Sequence, residues 1–483
     1  MSKIDKKEDL SSRTKSGLKW NTAMKIVSQV VRFVVGIILA RILDPLDFGI
    51  MAIGHMIIHY TNSISDFGFI NALVQKKDLQ QVHIDSVFTL NLIVSVILCI
   101  LVAASSTAIG NFFNSPESGK VLFFMSFLFI IRTFRDIYMA LLRRRVLFKA
   151  VATTIFIEHS CMSIIALLLA LSGMRYWSLV WATIIATGLA GVLFFIQTKE
   201  RPRFQYHHKA MKSIYSFGLW NFLRAQLFFI NQFITQLIVG KLFGPVALGY
   251  FEKSHQLASM PRESIAAQIN AVMFSSFSRL QTDTEKLKEW FLKITIMETI
   301  LVVPILAGLI AVADHFIIVV LGEKWAPSII SLQILSLGVI FQVLNGLIAS
   351  LNVGTGRFKR QALLELPGTI LFILLCYPLS KWGINGIAAC YTISMLFVSI
   401  VTFHLVRESL NLSLIQFVKP ILPYLVVNVL MVVFVQWLAR VFFHHYSITN
   451  LLVLVSAGGS FYLCATMIVN LSTRRNFLFP LKT

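Results

Sequence analysis

Charge is scarce in this chain, and the little it carries leans one way. Only 13% of its 483 residues are charged, and 22 acidic side chains face 43 basic ones. With 57% apolar residues it is excluded from the class of ordinary soluble globular domains. Cysteine is scarce too. Cys99, Cys161, Cys376, Cys390 and Cys464 all fall inside apolar segments without CxxC or ligand spacing, so neither a disulfide framework nor a metal site is indicated. A P-loop, a metal motif and a nucleophile–base arrangement are also missing, so neither ATP use, a bound cofactor nor enzymatic catalysis is expected. No stretch between apolar segments is long enough for a soluble catalytic domain, the longest being about 198–213. The N-terminal residues lack the short apolar core and small-residue cleavage site of a secretory signal and are expected to form a basic cytoplasmic tail.

What the chain has in abundance is apolar segments of about twenty residues, each able to cross a hydrocarbon core of about 30 Å as a helix. Fourteen are expected, over 16–42, 49–74, 84–110, 120–142, 151–171, 177–197, 214–240, 250–276, 289–318, 329–352, 361–379, 383–405, 420–440 and 448–470. With the N-terminus inside, 27 Lys and Arg fall in cytoplasmic loops and ends against 6 in outer loops, as the positive-inside rule requires. One span more or fewer would put Arg143-Arg144-Arg145 or the basic 199–212 segment outside. Both termini are therefore expected in the cytoplasm. The net charge of +21 is a property of these loops and does not point to nucleic acid.

The chain also repeats itself. Trp20-Asn21 recurs as Trp220-Asn221, and in the same frame Arg41 falls on Lys241, Pro45 on Pro245 and Gly49 on Gly249. Leu141 and Phe148-Lys149 return as Leu351 and Phe358-Lys359 in a frame shifted by ten more residues. Six crossings separate the copies, so both enter from the same side as parallel repeats about an axis along the membrane normal. The expected organisation is a tail over 1–15, six-helix bundles over 16–200 and 214–406 joined by a cytoplasmic loop over 201–213, and two extra helices with a cytoplasmic tail over 407–483.

A charge at the centre of a spanning helix costs about 2.5–3.5 kcal/mol on insertion scales, so each buried one needs a reason. The first helix carries a polar stripe of Lys25, Ser28/Gln29, Arg32 and Gly36, and its repeat mate one of Asn221, Arg224, Asn231/Gln232 and Thr235. The eighth adds Glu252, Lys253, His255, Arg262 and Glu263 around Pro261. Arg32, Arg224 and Arg262, with Lys25 and Asn221, are the candidates for a basic cavity that binds an anionic substrate, because guanidinium forks match phosphate oxygens. Arg132, Arg135, Asp136 and Glu158 read as a structural ion network, with Arg132 paired to Asp136 and Arg135 to Glu158. Asp66, His55 and His255 are candidates for ion coupling, packing being the plainer role for the histidines. The tryptophans are expected to be interfacial anchors.

These residues resemble a known family. Trp20-Asn21, Ala40 to Gly49 (A-R-x-L-x-P-x-x-F-G), Asp66 to Gln75 (D-x-G-F-x-x-A-L-x-Q), and FGLWNF, GPVALGYF and GTGRFKRQ beginning at Phe217, Gly244 and Gly354 are similar to bacterial polysaccharide repeat-unit flippases of the colanic-acid and teichuronic-acid type. The resemblance implies the multidrug/oligosaccharidyl-lipid/polysaccharide exporter superfamily. Its all-α fold sets two six-helix bundles in a V, the arrangement of the multidrug exporters (MATE-like), here with two further helices. It further implies transfer of undecaprenyl-diphosphate-linked oligosaccharides across the bacterial plasma membrane by alternating access, with H+ or Na+ coupling. The polyprenyl-diphosphate oligosaccharide and the bilayer are the implied partners, with a polysaccharide polymerase and export machinery beyond them. Two alternatives stand beside this. A cation-coupled multidrug antiporter should show unpaired acidic groups, and a membrane polysaccharide polymerase or glycosyltransferase should show a sizeable outer loop with carboxylates.

Overall fold

Apolar segments of this length satisfy their backbone in hydrocarbon by bonding within themselves, and every regular element among the described residues is helical. The computed structural model describes residues 3–66, 70, 73–74, 76 and 78–472, and for 3–19, 21–23, 62–66, 209–210, 212–232 and 358 the backbone alone. Nine stretches among the described residues are long and apolar enough to cross a membrane.

The chain divides into two units, Met1–Gly249 and Tyr250–Thr483. The first holds α1 (Lys3–Ile42), α2 (Pro45–Asp66), α3 (Gln81–Phe112), α4 (Pro116–Met125), α5 (Leu128–Arg144), α6 (Phe148–Leu171) and α7 (Tyr176–Gln197). The next helix, α8 (His208–Pro261), is broken at Gly244, whose φ of 78° interrupts the helix. After it come a π-helical turn (Arg262–Ala266), α9 (Ala267–Arg279), α10 (Thr284–Leu301), α11 (Val303–Ala311) and α12 (Ala313–Phe316). The last five are α13 (Ser328–Gly354), α14 (Phe358–Leu379), α15 (Gly383–Leu410), α16 (Leu414–Phe442) and α17 (Ile448–Ser472).

Local chemistry explains where these helices begin. Ser115 accepts from the Ser118 amide with Pro116 at the first helical position of α4. Asp283 caps α10 by accepting from the Lys286 amide at 3.1 Å, and the Lys286 ammonium holds its carboxyl below the usual range. Ser413 and Gln416 form a reciprocal capping box at the start of α16. Three expected spans differ in form. The 120–142 span is divided at Ser126–Phe127 between α4 and α5, the 289–318 span is divided at Val302 and Val312 among α10, α11 and α12, and the 250–276 span passes through the π turn directly after Pro261. Residues 3–15, expected as a tail, continue α1 as helix.

Among the described residues, three apolar clusters hold the first unit together. One joins Val87 and Phe88 of α3 to Ile137 and Leu141 of α5 and Phe194 of α7. Another gathers Ile50 and Met51 of α2 with Val121, Met125, Phe129 and Val180. A third sets Leu39 against Ala166, Ala170 and Ala182. In the second unit Phe291, Leu347 and Phe403 pack with Phe417 and Tyr424 of α16, so the two extra helices are part of its core.

Both repeat signatures have structural content. Trp20 is half-exposed, but its indole Nε1 donates to Thr153 Oγ1 at 3.1 Å and the Lys149 ammonium lies 5.0 Å above its ring, so it docks α1 on α6 as well as facing outward. The two Pro-x-x-x-Gly turns touch reciprocally. A Cβ on Gly49 would stand 1.7 Å from the Pro245 carbonyl oxygen, and one on Gly249 would stand 1.9 Å from that of Pro45.

Candidate functional site

The charged interior of the first unit is built on α5 and α6. These helices form a hairpin about the turn at Arg145–Leu147, so residues equally far from the turn lie at one depth, and this brings Arg135 to Glu158. The Arg135 guanidinium donates from Nε to both Glu158 oxygens at 3.0 and 3.1 Å and from Nη2 to Oε2 at 2.7 Å. Its Nη1 donates to the neighbouring Asp136. The pairing expected between Arg132 and Asp136 is not made, because Asp136 is turned to Arg135. Arg132 therefore has no hydrogen bond or ion pair among the described residues.

Near Arg132 lies a pair of histidines on α2. The Arg132 charge acts on both His55 and His59, whose rings lie 5.7 Å apart at i and i+4. His59 also stacks on Phe233 at 6.4 Å, and His55 Nδ1 is buried without a partner. On α6 the residue after Glu158 is His159, with a buried, unpartnered Nδ1 and the charges of Arg32 and Arg135 both acting on its ring. Arg32 and Lys25 are exposed on α1, whereas Ser28 of the same stripe is buried. The arrangement gathers three guanidinium groups, two carboxylates and three imidazoles, an excess of positive charge beside polarisable rings. Chemically it can hold an anion and stack against a ring face.

The second unit carries a smaller site at the π turn. Pro261 has no N–H to give the helix, and the backbone accommodates this by widening at Arg262. Arg262 leans on Glu263 at 3.5 Å, while its Nε is buried without an acceptor. Its charge acts on His255 and Tyr391. His255 is stacked on Phe251 at 6.3 Å and meets Tyr391 edge-on at 5.6 Å, and the Tyr391 hydroxyl is buried without a partner. Lys253 is buried with its ammonium 6.0 Å from the Trp325 ring, and Trp325 is itself fully buried.

The expected residues thus fall into four groups. His55, Arg132, Arg135, Asp136 and Glu158 share the interior of the first unit, Lys25 and Arg32 lie exposed on α1, and His255 and Arg262 share the second site. The side chains of Asp66, Asn221 and Arg224 lie outside the described residues. Sequence reasoning passed over His59, His159 and Tyr391. His59 was within reach as the i+4 partner of His55, and His159 as the neighbour of Glu158. Tyr391 stands on a distant helix and only the packing reveals it.

A family model described as polysaccharide biosynthesis protein matches residues 38–330 of this chain. Lipopolysaccharide biosynthesis protein WzxC of Escherichia coli (strain K12) is 25% identical over 374 residues, 75% of this chain and 74% of that protein. Succinoglycan biosynthesis transport protein ExoT of Rhizobium meliloti (strain 1021) is 27% identical over 327 residues, 66% of this chain and 65% of that protein. Among solved structures, lipid II flippase MurJ in an inward closed conformation matches with a TM-score of 0.78 at 15% identity, over 94% of this chain and 99% of that one. At that identity the likeness is one of fold.

Proposed function

Because this chain belongs to the polysaccharide biosynthesis protein family, we propose that this multi-pass membrane protein is a flippase for lipid-linked oligosaccharide repeat units in the bacterial plasma membrane. The substrate is an oligosaccharide on a polyprenyl diphosphate, handed on to a polymerase and export machinery for surface polysaccharide. The chain crosses fourteen times with both termini cytoplasmic, as two parallel six-helix repeats over 16–200 and 214–406 and two further helices. Transport proceeds by alternating access and is driven by an H+ or Na+ gradient.

One observation carries this reading. Within an apolar bundle, both carboxylates near Arg132 are engaged by Arg135, which leaves a half-buried guanidinium beside two histidines. A structural network would neutralise that charge. A site for a diphosphate would leave it available, since charge-assisted bonds to phosphate are the stronger for being in a low-dielectric setting. Arg262, with a buried Nε lacking an acceptor, offers the same chemistry in the second unit. Arg32 and Arg224 complete the proposed set, with Lys25 and Asn221 beside them.

The test is surface polysaccharide in a host deprived of its own copy of the gene. Restoration by the wild-type chain, with a loss of at least ten-fold in Arg132→Gln and Arg262→Gln at unchanged protein level, is the expected result. Full export by both variants would remove the assignment. Export of organic cations by the wild-type chain would favour a drug antiporter instead.

A further inference from the structure

Glu298 belongs to neither site. It lies on α10 in the second unit, on a face that reads Leu287, Phe291, Ile294, Glu298 and Val302 at spacings of three and four. All five are buried, Glu298 at 0% exposure. A carboxyl group has taken a place that its neighbours fill with hydrocarbon. Neither of its oxygens has a hydrogen-bond partner among the described residues. The hydroxyls beside it are spent elsewhere: Thr295 donates to the Phe291 carbonyl and Thr299 to the Thr295 carbonyl, both at 2.8 Å. Tyr462 of α17 donates at 2.9 Å to the Ile300 carbonyl, which lacks its helical donor because Pro304 stands four residues on.

Among the described residues no cation pairs with it. Of the helices packed against α10, α11 and α13 carry no titratable side chain. The titratable groups of α15 are Cys390, Tyr391, His404, Arg407 and Glu408, and those of α16 are Lys419, Tyr424 and Arg440; α17, which reaches α10 through Tyr462, adds Cys464, and α9, which meets it at Phe277, adds Arg279. None of them makes a hydrogen bond or ion pair with Glu298. On α10 itself the nearest charge, Lys293, is held by Glu289 at 2.6 Å. Glu298 is the fifteenth of 28 residues in the apolar stretch Thr284–Ala311, at its middle. One turn beyond it the helix is jointed, α10 ending at Leu301 and α11 beginning at Val303, with Pro304 in the new first turn.

We propose that Glu298 is a proton-binding site that couples the transport cycle to the proton gradient, an inference that rests on the flippase reading. In the conformation described here the carboxyl is the neutral acid, since no group among the described residues balances a carboxylate there. Bending at the α10–α11 joint admits water. The O–H bond then breaks with its electron pair left on the carboxylate, and the proton passes to water. Return to the apolar position requires a proton to be taken up again. The two protonation states therefore favour different positions of the helix, which is what coupling to a gradient requires.

Infrared spectroscopy of the full-length protein in lipid vesicles at neutral pH tests the protonation state directly. The wild-type chain should show the C=O stretch of a buried protonated carboxyl, absent from Glu298→Gln. Where the glutamine variant does not accumulate, Glu298→Leu, which completes the apolar stripe, takes its place. A wild-type spectrum without that band overturns the proposal. The second readout is surface polysaccharide in the complemented host. Glu298→Gln, fixed in the neutral form, should export at least ten-fold less while remaining folded, and Glu298→Asp should recover part of the loss. Export by Glu298→Gln at the wild-type level overturns the coupling role. If the wild-type chain itself fails to restore export, the flippase reading falls, and the infrared band still decides whether Glu298 holds a proton.

Discussion

Arg135 is the hinge of the charged interior because its guanidinium has a flat fork of donors and Glu158 offers two oxygens in the same plane. Breaking such a buried pair leaves a charge unbalanced, at a cost of about 3–5 kcal/mol, far more than the pair itself contributes. Glu158→Gln should therefore lower the thermal unfolding midpoint of the purified protein clearly, and Arg135→Gln should do the same. The double variant should lose less than the sum, since neither partner is then left alone. Additive losses would show that the two side chains are not coupled. Counting from the hairpin turn was enough to pair Arg135 with Glu158. The i,i+4 rule misled at Arg132, because that rule describes an isolated helix, whereas Asp136 here serves a guanidinium that is already anchored across the bundle.

Elements were legible to the extent that lipid dictates them. An apolar run must be a helix in hydrocarbon, so its existence and rough extent follow from composition. Its interruptions do not: the break at Gly244 and the divided α4–α5 segment depend on what packs beside them, whereas Pro261 and Pro304 stand beside the interruptions they cause. The repeated Pro-x-x-x-Gly reads as a turn signature in sequence, yet its physical reason is contact. Gly49 and Gly249 each lie where any side chain would strike the proline carbonyl of the other turn. Gly49→Ala and Gly249→Ala should each destabilise the protein by about 1–3 kcal/mol or prevent its accumulation, the usual outcome of overpacking a tight crossing. Gly36→Ala is the matched control, because nothing lies within 4 Å of its added methyl. It should be neutral or slightly stabilising, Ala being favoured over Gly in a helix by about 1 kcal/mol. Equal melting temperatures for all three would remove the contact as the reason for the motif.

At the scale of the whole molecule, the distribution of charge and the glycine contact bear on the same quantity, the sidedness of the chain. Two turns whose backbones touch lie at one depth, and the proposed topology, in which the chain between Gly49 and Gly249 crosses an even number of times, meets that condition. The basic residues reach the same parity independently, with 27 Lys and Arg on one side of the proposed spans and 6 on the other. Arg144 adds a structural use for one of these charges, since its guanidinium donates to the carbonyls of Leu73 and Val74 at 3.1 and 3.4 Å and fastens the start of the α2–α3 connection to the end of α5. Reporter fusions turn the parity into a measurement. Alkaline phosphatase forms its disulfides only outside the cytoplasm, so fusions after Arg175 and Lys324 should be active and fusions after Arg145, Arg203 and Arg279 inactive. Activity after Arg145 or Arg203 would displace a span from the first half. The copies would then run in opposite directions, and the parallel repeat, with the pairing of α1 to the helix that begins near Trp220, would have to be given up.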